Sequence, residues 1–296
     1  MQAAILPDRG VVNVAGPDAA KFLNGLVTAD IGKVTPGEAC FAALLTPQGK
    51  IIVDFMVAAA DTADGGGFFL DCPRALAATL VERLNFYKLR AKVTIEDFSE
   101  SLAVMAIWPR GGVSDYALCY ADPRLPELGA RCILPPDLAG EAAADLGAEL
   151  VEAPAHEAHR IALGVPRGGL DFIYGDAFPH ETDMDQLHGV DFDKGCFVGQ
   201  EVVSRIEHRG SARTRVVPVA FDGPAPAPRV TVTAGERNVG MMGSAAAGRG
   251  LAALRLDRVE EALAGGMTLD AGGIALKLVK PPWARFAFPG DAKAAQ

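Results

Sequence analysis

No stretch of these 296 residues stays apolar for the roughly 18 residues that a membrane helix needs. The start, MQAAILPDRG, has no basic patch leading into a short apolar core of the secretory kind. The chain therefore reads as cytoplasmic, with no membrane partner. A basic excess is also missing. With 28 Lys and Arg against 37 Asp and Glu the formal charge is −9, which disfavours neutralising a phosphate backbone and so argues against direct nucleic-acid binding. The five cysteines, Cys40, Cys72, Cys119, Cys132 and Cys196, contain no CxxC pair and no closely spaced run. That removes a local zinc site, a dithiol redox centre and a self-contained iron–sulfur ligand set. Odd in number and far apart, they read as free thiols, mostly buried. GxSxG, Walker A, EF-hand and HExxH patterns are absent, and no glycine-rich loop joins a strand to a helix in the Rossmann manner.

What is present is an ordinary globular composition, 50% hydrophobic and 22% charged, in a chain long enough for more than one core. Pro17-Asp18 starts an amphipathic helix carrying Phe22, Leu23, Leu26 and Val27. Three strands follow up to Cys72, with turns at 47–49 and 65–67. In the middle strand Ile51, Val53, Phe55 and Val57 share one face, which leaves Asp54 among apolar residues on the other. Residues 73–89 form a helix, followed by the strand-like segments KVTIEDF, LAVMAIW and YALCY, a helical patch near 138–148 and the helix APAHEAHRIALG. The pattern is mixed α+β with antiparallel sheets. Residues 165–193 are polar, rich in glycine and proline, and of the irregular length that more often carries a binding or active-site segment than a plain connection. Past Arg215 short apolar pieces cut by glycine and proline predict a small β-barrel or sandwich. The expected domains are 1–214, 215–288 and a disordered tail at 289–296.

The chemistry concentrates in KGCFVGQE, Lys194 to Glu201. Val202, Val203 and Ile206 recur at helical spacing and Gly210 closes the segment, so a helix from about Gly199 to Arg209 is expected. Cys196 then precedes a helix N-terminus, and both the helix end and Lys194 favour its thiolate over its thiol. A nucleophile or metal-touching thiol and a buried structural thiol are both compatible with this spacing. Arg205, Arg209 and Arg213 recur every four residues, with Arg215 close by. They suit bidentate capture of a carboxylate or phosphate, and equally a solvated helix face. Asp54 is either a buried acid or base or an edge-strand residue facing water.

The segment DKGCFVGQEVVSR closely resembles the signature of the YgfZ family, folate-binding proteins similar to the aminomethyltransferase of the glycine cleavage system. Phe197 stands where that family usually has tyrosine. DAAKFLNGLVTAD, TPQGKIIVDFMV, HRIALGVPRG, FPHETDMDQLHGVDFDKGC and VGMMGSAAAGRGLAALRL follow the family order, so the resemblance spans nearly the whole chain. It implies a GcvT-like, intertwined α+β core with a C-terminal β-barrel around a central opening that holds tetrahydrofolate or a one-carbon derivative. It also implies support of iron–sulfur cluster assembly or repair, including clusters of tRNA-modifying enzymes, with assembly proteins or client enzymes as partners. Carried over by position, the signature residues are Lys194, Gly195, Cys196, Gly199, Gln200 and Glu201, with Arg205 and Glu181 matching a following arginine and a family acid. Cys196 and Asp54 are the candidate reactive residues, and no metal site is expected. Two departures bear on mechanism. Val53 precedes Asp54 where aminomethyltransferases usually carry a second aspartate, and Ala162 stands where a glutamate is thought to hold the pterin. An accessory factor is therefore favoured over a folate-dependent aminomethyltransferase or a non-catalytic docking module.

Overall fold

Alternation along IIVDFMV builds the centre of the first sheet. The computed structural model describes residues 1–60, 66–210 and 212–291. Within these the chain forms two compact units, one from Met1–His156 and Leu187–Val202, the other from Glu157–Gln186 and Val203–Gln296.

The first unit contains strands β1 (Gln2–Ile5), β2 (Arg9–Ala15), β3 (Cys40–Leu45), β4 (Ile51–Ala59), β5 (Phe68–Pro73), β6 (Thr94–Asp97), β7 (Ala103–Trp108), β8 (Leu118–Ala121), β9 (Ala130–Leu134) and β10 (Glu149–Leu150). Helices α1 (Ala19–Asn24), α2 (Ala77–Lys88) and α3 (Ala139–Asp145) accompany them. The strands make two five-stranded sheets, β3-β4-β5-β2-β6 and β10-β1-β7-β9-β8. Every pairing is antiparallel except β1 with β10. Val53, Phe55 and Val57 pack with Leu23, Leu80 and Leu84 into a core under α1 and α2. On the opposite face, where strand geometry puts alternate residues, lie Asp54 and Met56.

That second face carries a buried ionic network joining the two sheets. Asp71 accepts from Arg9 Nε at 2.6 Å, Arg131 Nη1 at 2.7 Å and the Tyr120 hydroxyl at 2.9 Å. Arg131 Nε also donates to Asp122 at 3.0 Å, and Asp122 in turn takes both a 2.9 Å and a 2.7 Å bond from Arg124. Burial alone would raise both carboxyls. The guanidiniums of Arg9 and Arg131 outweigh it at Asp71, as those of Arg124 and Arg131 do at Asp122, and both are held below the ordinary carboxylate range. Cys119 and Cys132 sit directly opposite each other on β8 and β9 and form a disulfide. This corrects the reading of all five cysteines as free thiols: the sheet register places two positions that are 13 apart in sequence 4.1 Å apart at Cα.

Helices α4 (Ala153–Leu163) and α5 (Gln200–Arg209) each run from the first unit into the second. The second unit closes six strands into a barrel in the order β11-β14-β13-β12-β15-β16. These are β11 (Thr214–Ala220), β12 (Thr231–Ala234), β13 (Arg237–Ala246), β14 (Arg249–Arg255), β15 (Leu269–Ala271) and β16 (Ile274–Leu278). A helix not expected from the sequence, α6 (Leu256–Ala264), contributes Val259 and Ala262 to the barrel core. The irregular passage after α4 is tied to β13 through Asp171. Its carboxylate takes Arg160 Nη1 at 2.9 Å, Ser244 N at 2.7 Å and Ser244 Oγ at 2.6 Å. A side chain at Gly243 would meet Asp171 Oδ1 at 2.4 Å, so glycine is required there for the approach. Residues 292–296, most of the segment expected to be disordered, lie outside the described residues.

Candidate functional site

The KGCFVGQE octapeptide sorts into residues that hold the loop and residues that the loop presents. Lys194 is buried, and its ammonium donates to the backbone carbonyls of Asn24 at 2.8 Å, Val27 at 2.7 Å and Ala29 at 2.7 Å. An ammonium has three N–H donors, so this one is fully engaged. It also lies over the Phe197 ring, 5.4 Å from the centroid. Burial pushes Lys194 down to about 8, with Asp30, Cys40 and Asp191 pulling the other way. Lys194 thus anchors the loop, a role that its place in the sequence did not announce. Burial pushes the Cys40 thiol up to about 12 against the pull of Lys194.

Asp191 completes the latch. Its Oδ1 caps the amides of Asp193 and Lys194 at 3.0 and 3.1 Å, its carboxylate pairs with Lys33, and its own N–H donates to Thr28 O at 2.9 Å. Gly199 has φ +83°, and a Cβ there would stand 2.7 Å from the carbonyl oxygen of Thr46 and 3.0 Å from Gly49 Cα. It is the seam where the octapeptide packs on the TPQG turn. Gly195 meets nothing within 4 Å and needs no such conformation.

Between these fixed points Cys196 is exposed and reduced. It lies four residues before α5 begins at Gln200, beyond the first turn over which a helix end acts strongly. Gln200 is half-buried and Glu201 exposed. Arg205 is exposed on α5, and no side-chain hydrogen bond or ion pair engages its guanidinium among the described residues. Asp54 is buried on β4 opposite Ala43, in the company of the ionic network, where its charge is felt by Arg9 and Cys72.

In the second unit, Glu181 Oε2 accepts the Phe178 N–H at 2.9 Å, and the residue borders a cavity of about 340 Å³ walled by Phe172, Ile173, Val216, Met241 and Met242. Arg215, expected beside the arginine row, is buried instead. Its guanidinium forms two bonds to Asp185, at 2.6 and 2.9 Å, and one to Asp183 at 3.2 Å, and stacks 4.5 Å from the Phe286 ring centroid. Asp183 is fully buried with φ +61°, and its Oδ2 has no hydrogen-bond partner. Although a guanidinium is within reach, desolvation wins and Asp183 is pushed well above the ordinary carboxylate range. His180, Asp185 and Glu207 bring ligand atoms within 4.8 Å of one another. Both Asp185 oxygens are taken by Arg215, whose charge opposes a cation at that point. Sequence reasoning missed Asp71, Asp183, Asp185 and Asp191. For Asp71 a signal existed, since FFLDC sets an acid in an apolar strand just as IIVDFMV does.

A largely antiparallel α+β unit and a six-stranded barrel in one chain define a protein of the GcvT-like fold class. The GCVT N-terminal domain family matches residues 8–111, and the CAF17 C-terminal beta-barrel domain family matches residues 213–286. The crystal structure of the glycine cleavage system aminomethyltransferase T from Bartonella henselae superposes with a TM-score of 0.73 over 97% of this chain and 87% of that one. At 15% identity that likeness speaks for the fold. The iron-sulfur cluster assembly factor IBA57 of Mus musculus is 32% identical over 94% of this chain and 84% of its own length. The Homo sapiens protein is 31% identical over 86% and 78%. The chain belongs to this family of iron–sulfur cluster assembly factors. It spans little more than half the length of the fungal relatives, 57% of that from Mycosarcoma maydis, which is 34% identical over 74% of this chain. All three relatives are described as mitochondrial, which overturns the cytoplasmic expectation. No helix among the described residues is long and apolar enough to cross a membrane.

Proposed function

We propose that the protein is a tetrahydrofolate-binding accessory factor in which Cys196 is the working thiol for iron–sulfur cluster assembly or repair. The observation that carries this reading is the division of labour in the octapeptide. Lys194, Phe197 and Gly199 are spent on fixing the loop, and the one side chain left presented at its centre is a thiol. A cysteine kept for packing would be buried, as Cys72 is. An exposed thiol on a fixed loop suits transient contact with a cluster, a cluster carrier or an oxidised client, because access and thiolate character govern such chemistry. Kinship with iron–sulfur assembly factors supports the same cargo.

For folate, part of the expected residue set fits. Arg205 has its guanidinium available for the tail carboxylates. Glu181 borders a cavity of about 340 Å³, a size within the range of ligand sites. Lys194 does not fit, since its donors are consumed by carbonyls. When bound, tetrahydrofolate supplies a reduced pterin and a carrier for one-carbon units.

Isothermal titration with tetrahydrofolate and its 5-formyl derivative is expected to give micromolar binding, about −8 kcal/mol. Arg205→Ala should weaken polyglutamylated folate more than monoglutamylated folate. No heat and no thermal shift with any reduced folate would sink the folate half of the proposal. Cys196→Ser should bind folate normally yet fail to restore iron–sulfur enzyme activity in cells lacking the protein, and full rescue would sink the thiol half. Aminomethyl transfer has less support, with Val53 and Ala162 at the two departures. A reconstituted glycine cleavage assay should show no turnover.

A further inference from the structure

The end of α2 presents apolar side chains that its core does not use. The buried face of this helix is Ala77, Leu80 and Leu84. Phe86 and Leu89 lie on the other side, 72% and 90% exposed. Leu89 is held there at φ 43°, ψ −105°, a conformation that strains a residue with a side chain. Tyr87 meets Phe86 edge-on at 5.4 Å and is half-buried. Around them RLNFYKLRAK carries Arg83, Lys88, Arg90 and Lys92 and no acid, in a chain whose formal charge is −9. Among the described residues no ion pair or side-chain hydrogen bond engages these four cations. Glu82, one turn before Phe86, is the acid nearest in sequence.

We propose that this helix end is a peripheral docking site for an anionic phospholipid surface. Phe86 and Leu89 enter the interfacial layer, and Arg83, Lys88, Arg90 and Lys92 face the headgroups. Apolar tips flanked by Lys and Arg are what an interfacial anchor requires, and clustered basic residues supply the attraction to anionic lipid. Phe86 and Leu89 stand out from the surface, 72% and 90% exposed, as tips and not as the walls of a groove. A fluid surface needs no matching shape. The expectation of no membrane partner rested on the lack of a spanning segment, and lying on a bilayer is a different physical claim from crossing it.

The test is cosedimentation of the full chain with vesicles of phosphatidylcholine alone and of phosphatidylcholine with phosphatidylglycerol. Binding is expected only to the anionic vesicles and should weaken as salt screens the charges. Phe86→Asp with Leu89→Asp should lower partitioning by about tenfold or more. Lys88→Gln with Arg90→Gln should lower it about tenfold while leaving the apolar tips in place. Thermal melting of both variants should stay close to the parent, since Phe86 and Leu89 are largely exposed and no ion pair engages Lys88 or Arg90 among the described residues. Equal binding to both vesicle types, or undiminished binding by the Asp variant, would overturn the proposal. So would a parent that ignores both vesicles; if the Asp variant then loses iron–sulfur enzyme maturation in cells, the helix end is a protein-docking surface instead.

Discussion

Three cysteines remain reduced, and their surroundings rank them. Cys40 and Cys72 are pushed up to about 12 by burial, with Lys194 and Arg9 respectively opposing, whereas Cys196 is open to solvent. Iodoacetamide at neutral pH should therefore label Cys196 first in the native protein and reach the other two only on unfolding. Peptide mapping over time reads this directly, and equal labelling would remove Cys196 from consideration as a working thiol. The glycines of the motif separate in the same way. Gly199→Ala must find room 2.7 Å from a carbonyl oxygen at positive φ, so a loss of about 2 kcal/mol or more is expected. Gly195→Ala has open space and should change stability by no more than about 0.5 kcal/mol. If Gly195→Ala nonetheless fails in cells with an unchanged melting temperature, the small size of residue 195 serves access to the thiol.

Among the elements, the face between the two sheets of the first unit holds two buried carboxylates whose charge acid removes. Asp71 is fully buried and serves Arg9, Arg131 and Tyr120. Asp71→Asn would leave guanidiniums short of their counter-charge and should cost about 3–5 kcal/mol. Asp183 is the opposite case, since its folded-state value is raised and its Oδ2 is unpartnered. Asp183→Asn should alter stability at neutral pH by less than about 1 kcal/mol. Denaturant melts of the two variants decide between these behaviours. Because the Asp71 and Asp122 values are depressed in the folded state, their stabilisation is complete above about pH 4 and falls away as pH drops below it. The raised Asp183 contributes in the reverse sense, losing stabilisation as pH climbs above the ordinary carboxylate range. Acid sensitivity should thus be blunted in Asp71→Asn relative to the parent.

This network also marks where sequence reading stops. The 3.6-residue period of α2 and the alternation of β4 were legible because each is written locally, with one neighbour fixing the next. Asp71 and Arg131 are 60 residues apart, and nothing local says that their strands face each other. The Cys119–Cys132 bridge was hidden by an odd cysteine count. Helix α6 was hidden because Leu256, Val259 and Ala262 follow a strand without a side-chain cap to announce the change. At the site, the octapeptide pointed to Cys196, but the job of Lys194 could be seen only once carbonyls 24, 27 and 29 had been brought to it.

For the whole molecule, the two units do not follow one another along the chain. Residues 157–186 belong to the second, 187–202 return to the first, and α5 leaves it again. A protein ended after residue 186 is therefore expected to lack the last part of its first unit. Such a truncation should melt less cooperatively than the full chain in a thermal scan, and an unchanged transition for the first-unit signal would show that 187–202 is dispensable. The three Lys194 bonds span 165 to 170 residues, and contacts of that separation form late because the intervening chain must be ordered first. During synthesis the amino-terminal sheets leave the ribosome well before the segment that closes over them. Until Lys194 arrives, carbonyls 24, 27 and 29 must be satisfied by water. The loop bearing Cys196 is thus set in place only after most of the first unit has emerged, so a nascent chain stalled before residue 194 would carry folded sheets and no presented thiol.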